Sequence, residues 1–204
     1  MSIGHQALQI LWRLPFDYFF ILCYDEGMNL IKTIVLVGMM GAGKTSIGWR
    51  LAKRLDVEFC DSDRQVEEAA QASVTDIYAL WGESAFRKAE KRIVTQLLKN
   101  KAPHILSTGD GTFIVPEIRD LIKKYAVSVW LRAKPEILYD RVIRRNTRPQ
   151  LLTGNPKHIL MDLIQERYTI YEQADIIVQS DDESHEVTMN RVLTALEEYW
   201  GHKL

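Results

Sequence analysis

One α/β domain, a five-stranded parallel sheet sandwiched between two helical layers, is the fold this sequence predicts. Three observations point to it. Five short aliphatic or β-branched runs alternate with helical patterns along the chain, and right-handed crossovers between them require a parallel sheet with helices on both faces. The first run, Thr33–Val37, feeds directly into Gly38-Met39-Met40-Gly41-Ala42-Gly43-Lys44-Thr45-Ser46, a phosphate cradle of the pattern G-x-x-x-x-G-K-[ST]. The second run, residues 57–60, ends in Asp61-Ser62-Asp63. Carboxylates at the carboxyl end of a strand stand where ligands bind in this architecture.

Composition sets the outer bounds. A chain of 204 residues suits one domain and can bury a proper core. The balance of 26 basic against 27 acidic residues argues against a general nucleic-acid surface and leaves small anionic ligands open. The two cysteines, Cys23 and Cys60, form neither a disulfide framework nor a metal-ligand spacing, which fits a reducing cytosol; Cys60 reads as a small core residue at a strand end. Residues 6–24 are apolar, but Arg13, Pro15 and Asp17 interrupt them well short of the ~20 residues a spanning helix needs. No basic segment precedes them and no small-residue cleavage site follows, so a signal peptide fits poorly. Met28 stands immediately before the first strand. Residues 28–204 are therefore expected to form the domain. Residues 1–27 are an extension, read as upstream of a start at Met28, as ill-packed, or as a docked amphipathic helix. A cytoplasmic monomer with no membrane or nucleic-acid partner is expected.

In the cradle, the backbone N–H groups of Gly41, Ala42, Gly43, Lys44, Thr45 and Ser46 are expected to wrap a nucleotide's phosphates. Lys44 would reach the β/γ oxygens and the Thr45 hydroxyl would enter a Mg²⁺ shell. Glycines avoid collision with the tight turn or the phosphate. The flanks agree with this reading: a β-branched strand precedes the cradle, and Ile47, Leu51, Ala52 and Leu55 follow at helical spacing. After the second strand, Asp61 and Asp63 share a side if the chain stays extended, one serving the metal and the other the phosphate acceptor. The competing reading is that one of them only caps a helix starting near Gln65.

Residues 73–100 read as two helices, about 75–81 and 83–99. In the second, Phe86, Ala89, Ile93 and Leu97 form a buried stripe. Arg87 and Glu90 lie one turn apart beside it, either as a solvated ion pair or with Glu90 holding the Arg87 fork for a substrate carboxylate. A third strand, 104–108, leads into Gly109-Asp110-Gly111, a loop suited to close backbone approach to a ligand, and Pro116 opens the next helix. Strand 126–131 is followed by a helix opened at Pro135, which runs into the polar, basic stretch 144–150 and on to Pro156. That stretch is either a lid whose arginines cover a nucleotide or an ordinary exposed loop. Helix 157–172 carries Arg167, strand 175–178 is the last, and an amphipathic helix with Val187, Val192, Leu193 and Leu196 closes the chain.

From about Met28 to Leu196 the sequence resembles the shikimate kinases, members of the nucleoside-monophosphate-kinase-like P-loop family. Beyond the cradle the likeness covers D-x-D (Asp61, Asp63), F-R-x-x-E (Phe86, Arg87, Glu90), the glycine loop 109–111, R-P (Arg148, Pro149) and E-R-x-x-x-Y (Glu166, Arg167, Tyr171). It implies a P-loop kinase fold with a lid at about 145–156 and a substrate-binding helical segment. The implied reaction is ATP-dependent phosphorylation of the shikimate 3-hydroxyl, a step toward chorismate and the aromatic amino acids. By the same resemblance, Asp63 binds the acceptor's hydroxyls and orients or deprotonates the attacking one, with Lys44 as its catalytic partner at the phosphates. Arg87 and Arg167 grip the shikimate carboxylate, Gly109 and Gly111 line it, Arg148 covers ATP, and Thr45 and Asp61 hold Mg²⁺. Two departures stand out. Asp110 replaces the central one of three glycines, and Gln150 interrupts the family's R-P-L-L. Asp110 adds bulk and charge beside an anionic acceptor, so it is expected to weaken shikimate binding or redirect acceptor preference; the loop itself survives because Asp tolerates positive φ. Two other readings stay open: a related gluconate- or nucleotide-kinase-like enzyme, weighed by the arginine pair, which suits a carboxylate and has no obvious purpose for a neutral sugar, and a nucleotide-binding module with a decayed acceptor site.

Overall fold

The structure, a computed structural model, describes residues 30–145 and 155–204. The extension 1–27, Arg148 and nearly all of the expected lid lie outside the described residues.

The strands are β1 (Thr33–Val37), β2 (Phe59–Asp61), β3 (Ile105–Ser107), β4 (Ala126–Arg132) and β5 (Ile176–Gln179). All pair in parallel in the order β2-β3-β1-β4-β5, which confirms the predicted sheet. The helices are α1 (Lys44–Leu55), α2 (Ser62–Ala70), α3 (Val74–Asn100), α4 (Pro116–Tyr125), α5 (Pro135–Arg145), α6 (Pro156–Tyr171) and α7 (His185–Trp200), with a 3₁₀ turn at Thr112–Ile114. The chain leaves β1 toward the β2 edge through α1 and afterwards moves the other way across the sheet. Right-handed crossovers therefore put α1 on one face and α3 and α4 on the other. The last helix returns to pack on α1.

β1 is buried along its whole length, as a central parallel strand covered on both faces must be. Ile47, Leu51, Ala52 and Leu55 of α1 point into the same core, as their spacing predicts. Cys60 is buried in the middle of the short β2. Where periodicity erred, it erred about which face of a helix turns inward. In α3 the buried positions are Ile77, Phe86, Glu90, Val94, Leu97 and Leu98, while Ala89 and Ile93 are partly buried and pack against the core from the side. In α7, Met189, Val192 and Leu196 face the core and Val187 is exposed. The two helices expected within 73–100 join end to end, with Gly82 breaking the ladder at φ 78, ψ 169. Among the described residues no helix is long and apolar enough to cross a membrane.

Beneath the end of β4, Trp130 packs against Tyr168 (centroids 5.0 Å apart, edge to face) and Tyr171 (5.7 Å) of α6. This aromatic cluster fixes α6 against the sheet, and with it the arginine that α6 carries.

A buried histidine closes the opposite end of the sheet. His104 Nδ1 lies 2.9 Å from the Ala102 carbonyl and 3.2 Å from Thr33 Oγ1. A carbonyl can only accept, so Nδ1 carries the proton. Nε2 is buried with no hydrogen-bond partner among the described residues, and burial pushes the imidazole below its ordinary range against the opposing pull of the Ala102 carbonyl. Charging this ring in the fold is costly, whereas the unfolded chain protonates it near pH 6.5. Its contribution is thus fully present above that pH and declines as pH falls below it. The stability advantage of the wild-type chain over His104→Gln should shrink between about pH 8 and about pH 5. Denaturant melts across that window check this, and parallel pH profiles for the two proteins would refute it.

Candidate active site

The cradle forms as the glycine spacing requires. Gly38, Gly41 and Gly43 adopt φ of 134°, 80° and 93°, values that L side chains rarely take. A Cβ on Gly38 would also stand 2.8 Å from the Leu131 carbonyl of β4. Gly43 caps α1, so the open N–H groups of the helix's first turn face the cradle. Lys44 is buried, its Nζ donating to the carbonyls of Gly38 (2.7 Å) and Met39 (3.0 Å). The cradle is braced from the far side by residues that sequence reasoning missed. Ser180 Oγ donates to the Ala42 carbonyl at 2.8 Å. Arg141 of α5 donates to the carbonyls of Gly41, Ser180 and Asp181 at 3.3, 3.3 and 2.6 Å. Backbone carbonyls leave no residue-type signature, so nothing in the local sequence marks Arg141 for this task.

The carboxylates arrive differently from the extended D-x-D expected. The chain turns helical at Ser62, and Asp61 caps α2, its Oδ1 accepting from Arg64 N at 3.4 Å. Its other oxygen accepts from the Thr45 hydroxyl at 2.8 Å. Asp61 thus fills the capping role and meets the cradle at once. Asp63 stands in the first helical turn and still reaches the same cleft, which is lined by Gly41, Gly43, Lys44, Thr45, Ser46, Asp61, Asp63, Ser107 and Thr108. Ser107 Oγ lies 3.4 Å from Thr45 Oγ1.

At the end of β3 the glycine loop sits among charged groups. Gly109 N donates to the buried Ser62 hydroxyl at 3.1 Å. A Cβ on Gly109 would come within 2.5 Å of Glu90 Oε1 and 2.7 Å of Asp63 Oδ1, and one on Gly111 within 2.5 Å of the Arg87 guanidinium. Neither glycine has positive φ, and neither does Asp110. The positive φ that Asp110 would tolerate is not called upon, and the reading of the glycines as places of close approach holds, with side chains as the close neighbours. Glu90 is fully buried, accepting from Arg87 Nη1 at 2.9 Å and from the Thr112 hydroxyl. Arg87 also donates to Glu83. Of the two readings of Arg87 and Glu90, the solvated pair is excluded. Burial lowers the proton affinity of Arg87, but neighbouring Glu90 more than offsets this and the net shift is upward. Arg167 is buried on α6, its Nη1 donating to Asp110 Oδ2 at 2.7 Å. The adjacent Tyr171 hydroxyl donates to the Asp110 carbonyl, and burial pushes that phenol well above its usual range. The loop thus collects Asp63, Arg87 and Arg167 within one neighbourhood, beside the cradle cleft.

Chemically, this arrangement offers a phosphate cradle with a lysine, oxygen donors of the kind a hard cation takes, a carboxylate beside the acceptor position, and two guanidiniums suited to an acid. Comparison with known proteins agrees. The model of the shikimate kinase family matches residues 40–197. The shikimate kinase of Paramagnetospirillum magneticum is 47% identical over 168 residues, covering 82% of this chain and 86% of that one. That of Caulobacter vibrioides is 46% identical over 165 residues, covering 81% and 82%. Among solved structures, shikimate kinase from Acinetobacter baumannii in complex with shikimate superposes with a TM-score of 0.80 at 31% identity, covering 84% of this chain and 96% of that one.

Truncating Glu90 leaves the Arg87 guanidinium and the Thr112 hydroxyl short of an acceptor. Glu90→Ala should cost about 2 kcal/mol in urea unfolding, with Glu90→Gln intermediate. A loss below about 0.5 kcal/mol would show that the buried carboxylate is not what positions them.

Proposed function

We propose how individual residues share the work in this chain, which belongs to the shikimate kinase family and phosphorylates a hydroxyl group of shikimate at the expense of ATP. The observation that carries the assignment is the pair of guanidiniums, Arg87 against Gly111 and Arg167 on Asp110, on the loop that follows the cradle's neighbouring strand. Two arginines suit a carboxylate and have no task for a neutral sugar, which favours an acid such as shikimate as the acceptor.

In this reading ATP lies with its phosphates in the loop Gly41–Ser46, and Lys44 exchanges its loop carbonyls for phosphate oxygens. Shikimate lies with its carboxylate between Arg87 and Arg167, lined by Gly109 and Gly111, and with its 3-hydroxyl toward Asp63. Asp63 orients that hydroxyl and accepts its proton as the oxygen attacks the γ-phosphorus. Lys44 and Arg148 neutralise charge on the transferring group. Positioning supplies most of the acceleration, because phosphoryl transfer asks little covalent chemistry of the protein. Thr45 and Asp61 are our candidates for Mg²⁺: hydroxyl and carboxylate oxygens 2.8 Å apart at the mouth of the cradle are the hard donors this ion selects, directly or through water. Held there, Mg²⁺ would supply charge neutralisation at the phosphates. The cysteine usage supports a cytoplasmic setting, and we read the chain as a monomer with residues 28–204 as one domain and residues 145–156 as its lid.

A coupled ADP-release assay with shikimate, and with gluconate as control, tests these roles. Asp63→Asn should lower kcat by about 10²-fold or more. Arg87→Ala should raise the KM for shikimate by about tenfold or more, the loss expected from one charge-assisted contact, and leave the KM for ATP in place. Equal kcat/KM for gluconate and shikimate would overturn the acceptor assignment, and an unaltered kcat in Asp63→Asn would remove that residue from proton transfer.

A further inference from the structure

Every cation of the acceptor loop already has a carboxylate on it. Arg87 has Glu90 and Glu83. Arg167 has Asp110, and the side chains of that pair are 11% and 6% exposed. Arg167 Nε is buried with no hydrogen-bond partner among the described residues, which leaves the planar fork, built to grip a carboxylate through two donors, with an unused donor. The Asp110 backbone is held separately, by Tyr171, so releasing its side chain does not release the loop.

We infer that Asp110 sets acceptor affinity in this chain: its carboxylate is an internal stand-in for the acid group of shikimate, which binds by taking its place on Arg167. The inference rests on reading Arg87 and Arg167 as the acceptor's carboxylate grip. It goes further than a general penalty from bulk or charge, because it names the contact exchanged. Binding an acid here replaces one charge-assisted pair with another, and the gain is only the difference between them. The free protein avoids a buried guanidinium without a counter-charge, which is strongly unfavourable. Stability and affinity are thereby set against each other at one residue. A neutral analogue does not need Arg167, so the preference for the acid over that analogue is compressed.

Calorimetric titration of the full chain with shikimate and with its methyl ester tests this, using wild type, Asp110→Asn and Asp110→Gly. Asp110→Asn should bind shikimate about tenfold more tightly, equivalent to about 1.4 kcal/mol, with ester affinity unchanged and the melting temperature lowered. In an Arg167→Gln background the same substitution should give no gain. Asp110→Gly should behave like Asp110→Asn; if it fails to fold, the isosteric variant carries the test. Unchanged or weaker shikimate binding in folded Asp110→Asn would overturn the inference, as would a gain that persists without Arg167 or an equal gain for the ester. The functional reading fails separately, if wild type releases no ADP with shikimate.

Discussion

The buried carboxylate of Glu90 is the contact on which the acceptor side of this molecule depends. It sits on the inward face of α3, in line with Phe86, Val94 and Leu97, where an unpaired charge would be costly. Two donors make it tenable, the Arg87 guanidinium and the Thr112 hydroxyl. These come from opposite sides, one from its own helix and one from the turn after β3. Satisfying Glu90 therefore fixes the distance between α3 and the glycine loop. It also explains the loop's composition: Gly109 lies against Glu90 and Asp63, and Gly111 against Arg87, with no room for a Cβ at either place.

Sheet order does the rest. β1 lies between β3 and β4, and β3 between β1 and β2, so the carboxyl ends of three neighbouring strands carry the cradle, the glycine loop and Asp61 side by side. The cradle and the glycine loop are thus neighbours by topology, and a hydrogen bond from Thr45 to Asp61 ties the cradle helix to the end of β2. Ligand sites at the carboxyl end of an open parallel sheet follow from the same geometry. From the other flank, the Trp130–Tyr168–Tyr171 cluster holds α6 so that Arg167 and Tyr171 reach the loop 57 and 61 residues away in sequence.

How much of this was legible in the sequence divides along a physical line. The cradle, the five strands and the helices were readable because each is written in local spacing, glycine position and β-branched runs. What was not readable was the rotation of a helix about its axis and the partner of a charged side chain. Glu90 falls on the buried face of α3, but a polar residue beside an apolar stripe gives periodicity no reason to place it inside. For Asp61 and Asp63 the sequence leaves an extended pair and a helix cap open, and it places the helix start near Gln65 where the fold starts α2 at Ser62, because Asp61 itself is the cap. The glycines of the loop 109–111 are legible as places of close approach, and the fold adds that side chains from α2 and α3 crowd them. Asp110 was legible as a departure from three glycines, and only the fold reveals that its partner is Arg167.

The central claim is that the loop 109–111 presents Arg87 and Arg167 to the acid group of shikimate, displacing Asp110. A crystal structure with shikimate, ADP and Mg²⁺ tests it most directly. The account predicts the shikimate carboxylate on both guanidiniums, the 3-hydroxyl at Asp63 and the Asp110 side chain withdrawn from Arg167. Shikimate bound with the Asp110–Arg167 pair intact and its carboxylate elsewhere would contradict it.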